Sequence, residues 1–183
     1  MKLHELSDEA RKKALLEVFW GEWSDNILDE ELYQDNMPEK AEELIRRYFK
    51  YIDCFDFWWK DYDEFYLDSL SWRLEDFVKE FPDLKDLPGI DYYDTKYSYV
   101  SYSKNYANSS SLDFMGEPDR FDIPNECVEL DRKIRSKYDE VDNIAREAEA
   151  ELLKLLQIWF NNKKNLLFVD TNFDKDGNIE EGD

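Results

Sequence analysis

After Leu87-Pro88-Gly89 the spacing of apolar residues changes from every third or fourth position to every second, and no other feature of the chain constrains its fold as strongly. Upstream the apolar residues recur at helical intervals. Downstream, short runs rich in Tyr, Val and Ser are divided by polar turns. This order predicts an α+β fold, a helix-dominated single domain with a small antiparallel, tyrosine-rich sheet. Within 1–183 the expected division is a helical part over 1–87, a small sheet over 90–116, and a long helix with a C-terminal hairpin over 126–183.

In the helical part, Ser7 ahead of Asp8 and Glu9 forms a capped start, with Ala10, Ala14, Leu15 and Val18 on one face before Gly21. The acidic segment that follows predicts a turn of helix around Ile27 to Tyr33. Met37-Pro38-Glu39 opens a second helix, with Ala41, Leu44, Ile45, Tyr48 and Phe49 at intervals of three and four. The stretch FDFWWKDYDEFY, Phe55 to Tyr66, interleaves rings with charges. Trp58, Tyr62, Phe65, Tyr66, Leu70, Leu74, Phe77 and Phe81 fit a 3.6-residue period up to Pro82. A long helix is therefore predicted here, with Asp56, Asp61, Asp63, Glu64 and Asp68 on its solvated faces and Trp59 off the apolar stripe beside them.

Strands are expected at Ile90–Tyr93, Lys96–Ser103 and Leu112–Met115. The periodic apolar positions from Val128 to Phe160 then predict a second long helix, about 50 Å if continuous to Asn161. Its Leu152, Leu155, Leu156, Trp159 and Phe160 end carries more apolar area than a small sheet covers, so a homodimer is expected. The ending NFDKDGNI copies the front of a calcium loop, but Asn172 stands first and Asp183 twelfth. Asp176-Gly177 between Phe173 and Ile179 predicts a hairpin turn without a tight calcium site.

Lys plus Arg number 24 against 45 Asp plus Glu, a net charge of −21. Such a field repels phosphate, which argues against direct binding of nucleic acid. Aromatic residues make up 16% of the chain, enough apolar area for it to fold rather than stay disordered. Cys54 and Cys127, without metal or redox spacing, read as small buried hydrophobes in a reducing cytoplasm. One histidine, His4, precludes histidine triads and multi-histidine metal sites. No glycine-rich phosphate loop or nucleophile elbow occurs. Carboxylate pairs such as Asp61 with Glu64 or Asp142 with Glu149 are so common that they read as solvated helix faces. No enzyme, cofactor, metal or membrane role is expected.

LHELSDEARKKAL, Leu3 to Leu15, resembles the FxELSxEAKxKA opening of a family of small phage and prophage proteins. The segment PGIDYYDTKYSYVSYSKNYANSSSLDFMGE is similar to that family's strand region, and EAEAELLKLLQIWF and FDKDGNI to its later helix and closing FxxDGxI. YANSSSLDF departs from the family's SQGDGASF-like run, losing both glycines and the acid between them. The resemblance implies a mobile-element origin, and with it a role against host machinery. Joined to the charge, it predicts an inhibitor that binds a basic host protein in the host cytoplasm, such as an anti-CRISPR or other anti-defence protein. It would present acids and rings to a channel built for nucleic acid. The expected contact residues are Asp25, Asp29, Glu30 and Glu31, and Asp56, Trp59, Asp61, Asp63, Glu64 and Asp68. The alternative is an oligomeric regulatory or assembly protein of a phage, acting without phosphate mimicry.

Overall fold

The computed structural model describes residues 1–20, 29–61, 64–94, 96–104, 110–116 and 125–180, with backbone alone for 16–20, 29, 58–61 and 64. The elements are α1 (Asp8–Trp20), α2 (Asp29–Gln34), α3 (Met37–Tyr48), β1 (Cys54–Asp61), β2 (Glu64–Arg73), α4 (Leu74–Glu80), β3 (Tyr99–Lys104), β4 (Ser110–Met115), α5 (Asn125–Arg135) and α6 (Tyr138–Leu167). The fold is α+β, with a four-stranded antiparallel sheet in the order β1-β2-β3-β4. Contacts group the chain into two compact units. One is Met1–Ala41 with Trp59–Phe65 and Ala150–Asp183, the other Glu42–Trp58 with Tyr66–Glu149.

In the first unit, the Ser7 hydroxyl accepts the Ala10 amide at 3.2 Å and so caps α1 as its position predicts. Arg11 reaches back to the carbonyls of Leu3, His4 and Leu6. Met1 and Phe173 exchange two backbone hydrogen bonds, at 2.7 and 2.8 Å. The Asp176-Gly177 turn closes between Phe173 and Ile179, which form an antiparallel bridge. Gly177 has φ +86, and a Cβ there would stand 2.1 Å from the Ala10 carbonyl oxygen. Only glycine lets the turn press this closely on α1. Leu3, Leu6, Ala14, Leu152, Leu156, Phe160, Phe168 and Phe173 are among the unit's buried residues.

The second unit has an aromatic centre. Trp72 meets Phe49 and Phe77 edge to face, with ring centroids 5.2 and 5.5 Å apart, and Phe77 meets Phe81 at 4.7 Å. The register pairs Leu70 with Tyr102, and Tyr102 with Leu112, on the buried side of the sheet. The other side carries Ser69, Ser71, Ser101, Ser103 and Ser111, all half-buried. Leu130, Ile134, Val141, Ala145 and Ala148 supply the helical part of this core.

Four expectations are corrected. The residues around the aromatic run form β1, β2 and the short α4 instead of one helix to Phe81, so Asp56, Trp59, Asp61, Glu64 and Asp68 lie on strands. Apolar residues are so dense here that a helical count can be drawn through them, but that count omits Leu67 and Trp72, both fully buried. From Ser69 to Arg73, burial alternates as in a strand, and large rings fit a pleated surface better than a helical turn that restricts their rotamers. Ile90–Tyr92 is a 3₁₀ turn and not a strand. It follows Gly89, where a φ of +103 and the 2.6 Å that would separate a Cβ from the Glu126 carbonyl oxygen exclude a side chain. The long C-terminal helix breaks between α5 and α6, where the Ser136 hydroxyl donates to the Lys133 carbonyl at 2.7 Å and the Lys137 amide makes a tight turn bond to Ile134. Finally, Cys127 is buried but Cys54 is exposed.

Candidate partner-binding surface

The expected contact residues do not form one helical band. Asp56 on β1 and Asp68 on β2 are exposed and belong to the second unit. Asp56 accepts the Phe57 amide at 2.9 Å, and among the described residues neither acid is in an ion pair with a cation. Asp61 and Glu64 lie at the facing ends of β1 and β2, and Trp59 lies in β1. Asp63 and Asp25 lie outside the described residues, as do the side chains of Trp59, Asp61, Glu64 and Asp29. Asp29 opens α2 in the first unit, where Glu30 is exposed and accepts from Gln34 at 3.5 Å. Glu31 is only half-buried but is tied to Lys163 at 3.7 Å.

The α2 acids have a second partner set that sequence spacing does not reveal. Asp35, at the end of α2, accepts Trp159 Nε1 at 2.6 Å and Lys163 Nζ at 3.1 Å. The hydrogen bond from Lys163, then that from Trp159, holds the Asp35 carboxyl below its ordinary value. Glu31 and Asp35 therefore fasten α2 to α6 within the first unit. Leu152, Leu156, Trp159 and Phe160 are buried and Leu155 half-buried, so that end of α6 is not the open apolar face on which the homodimer expectation rests.

Immediately before β1, the Asp53 amide donates to the Ser71 carbonyl at 2.9 Å and sets Asp53 opposite Ser71. Side-chain alternation then places Phe55 on the serine-lined side. Phe55 and Phe57, both half-buried, stack with centroids 6.4 Å apart and planes at 19°. Cys54 and Asp56 alternate with them and are exposed. The chain thus has a terminal strand with rings on one side and a carboxylate on the other.

A buried polar network in the second unit was also not legible from spacing. Asp142, only 7% exposed, accepts Tyr102 Oη at 2.8 Å, Ser110 Oγ at 3.1 Å and Arg146 Nε at 2.7 Å. Ser110 is also hydrogen-bonded to Tyr138. Burial works against charge on Asp142, but the bonds from Tyr102, Arg146 and Ser110 outweigh it and hold the carboxyl below its ordinary value. Burial, then the bond to Asp142, raises the Tyr102 phenol. Glu149 takes both of its oxygens to Lys104 Nζ, at 2.9 and 2.7 Å, and accepts the Leu67 amide at 3.0 Å. Asp142 and Glu149 are thus not solvated helix-face acids. Their lone pairs are committed to partners, which makes them anchors between α6 and the sheet rather than bases. The signal available in the sequence was Asp142 beside Val141 and Ala145 on the apolar stripe, with Arg146 four residues on.

A surface recess of about 240 Å³ is lined by Tyr93, Phe114, Gly116, Cys127, Val128 and Asp131. Burial, with the Cys127 thiol adding to it, pushes the Tyr93 phenol up to about 12. Asp131, the recess's carboxylate, is held by Arg135 at 3.0 Å. Among the described residues no group of three His, Cys, Asp or Glu side chains is placed to hold a metal ion. In the closing turn, Asp174 spends its carboxylate on the Asp176 and Asn178 amides and the Asn178 side chain. No helix among the described residues is long and apolar enough to cross a membrane. No family model, curated protein or solved structure matches the chain.

Proposed function

We propose that the protein works by binding and not by catalysis, as a mobile-element inhibitor that occupies the nucleic-acid channel of a basic host defence protein in the host cytoplasm. A CRISPR effector nuclease is the type of target meant. The observation that carries this reading is the one-sided use of charge. Arg46, Arg73, Arg132, Arg135, Arg146 and Lys137 are each held by a carboxylate of their own chain. Asp56 and Asp68 are exposed with no such partner among the described residues, in a molecule carrying −21 overall. These pairings spend cations inside the chain, and the surplus of 45 acids over 24 bases matches a Lys- and Arg-lined channel.

The test is binding to a purified defence nuclease with and without its guide RNA or target DNA. Association is expected to weaken as salt rises through about 0.15 M, where charges are screened within about 8 Å, and nucleic acid is expected to compete. Inhibition that is insensitive to salt and uncompetitive with nucleic acid would overturn the phosphate-mimic reading.

A further inference from the structure

The sheet ends on β1, and its two edges are not equivalent. At the β4 edge, Arg135 donates to the Leu112 carbonyl at 3.5 Å and to Asp113 at 2.7 Å, so a side chain of α5 already occupies it. Immediately before β1 the bond from the Asp53 amide to Ser71 points that amide toward β2. Strand geometry then turns the amides of Cys54 and Asp56, one and three residues on, outward. Natural edges are commonly blunted by Lys, Pro or a covering element. β1 carries Lys60 near its far end, but Cys54 to Phe57 contains neither Lys nor Pro, and Cys54 and Asp56 are exposed.

We infer that β1 is a docking edge that takes up an extended, basic segment of the partner as a fifth strand. This rests on the basic-partner reading above and specifies how such a partner is held. A strand added outside β1 sets alternate side chains beside the stacked Phe55 and Phe57 and beside Asp56. The segment that fits therefore alternates apolar with Lys or Arg residues. Charge selects this occupant over a second copy of the chain, which would bring another −21 to the same edge.

The experiment uses the full chain and an eight-residue peptide of alternating Val and Lys, beside the same peptide N-methylated on alternate amides. Methylation keeps the charge and removes the donors a new strand needs. Anisotropy is expected to show binding of the unmethylated peptide, weakened about tenfold by methylation. Amide exchange should show protection of Cys54 and Asp56. Asp56→Pro, which deletes an outward amide, should weaken binding as methylation does, whereas Asp56→Asn should keep the protection and lose only salt sensitivity. Equal binding of both peptides, or binding without protection at β1, overturns strand addition but leaves the charge reading standing. Failure of both peptides to bind at low salt overturns the basic-partner reading and this inference with it. If Asp56→Pro does not fold, the two peptides decide the question alone.

Discussion

Asp142 shows how a single carboxylate becomes structural in so acidic a chain. It is nearly excluded from water and satisfied by a phenol, a hydroxyl and a guanidinium. Asp142→Ala leaves those donors without an acceptor and is expected to cost about 2–4 kcal/mol by urea unfolding, with Asp142→Asn costing less. Its folded pKa lies below the usual 3.8, so its contribution is complete above that value and is lost as pH falls through the lower folded value. Wild-type protein should therefore lose more stability than Asp142→Asn between pH 5 and about pH 3; a parallel loss would count against the network. Gly177 is the other decisive residue. Gly177→Ala meets both the positive φ and the Ala10 carbonyl, and should cost more than about 2 kcal/mol. A change within error would mean the turn does not press on α1.

Elements differed in how far they could be read from sequence. α1 was legible from its Ser7 cap and acidic first turn, α3 because an early proline coincides with a clear apolar period, and α6 because its stripe is long. β3 and β4 were legible from their alternation. β1 and β2 were not, because aromatic density satisfies two periods at once and only burial decides between them. The break at Ser136 was hidden because a side chain competing for a helical carbonyl leaves the apolar pattern intact on both sides. Of the candidate surface, the exposure of Asp56 and Asp68 was legible, but the pairing of Glu31 with Lys163 depends on contacts over 100 residues apart in sequence. The strand assignment has its own test. Trp72 is fully buried on β2 but lies off the stripe a helix would bury. Trp72→Ala should cost about 3–5 kcal/mol and Phe55→Ala, half-buried, about 1; equal small losses would speak against this sheet.

At the scale of the whole molecule, salt should act with opposite signs on stability and on binding. The paired cations are mostly at surface sites, where each ion pair is worth roughly 0–1 kcal/mol and is itself screened. The surplus of 45 acids over 24 bases leaves a repulsion that every acid shares, and it acts on the compact state most strongly at low ionic strength. Raising NaCl from about 0.02 to 0.3 M, which shortens the screening length from over 20 Å to about 6 Å, should therefore raise the melting temperature at pH 7. The same screening removes the long-range attraction to the proposed basic partner, so the association rate should fall over the same range while dissociation changes little. Calorimetry and stopped-flow mixing on the same preparations measure the two trends. If both stability and association fall as salt rises, the paired charges outweigh the surplus in holding the fold. If association is flat while stability rises, the charge serves solubility, and the partner is recognised by contacts other than its field.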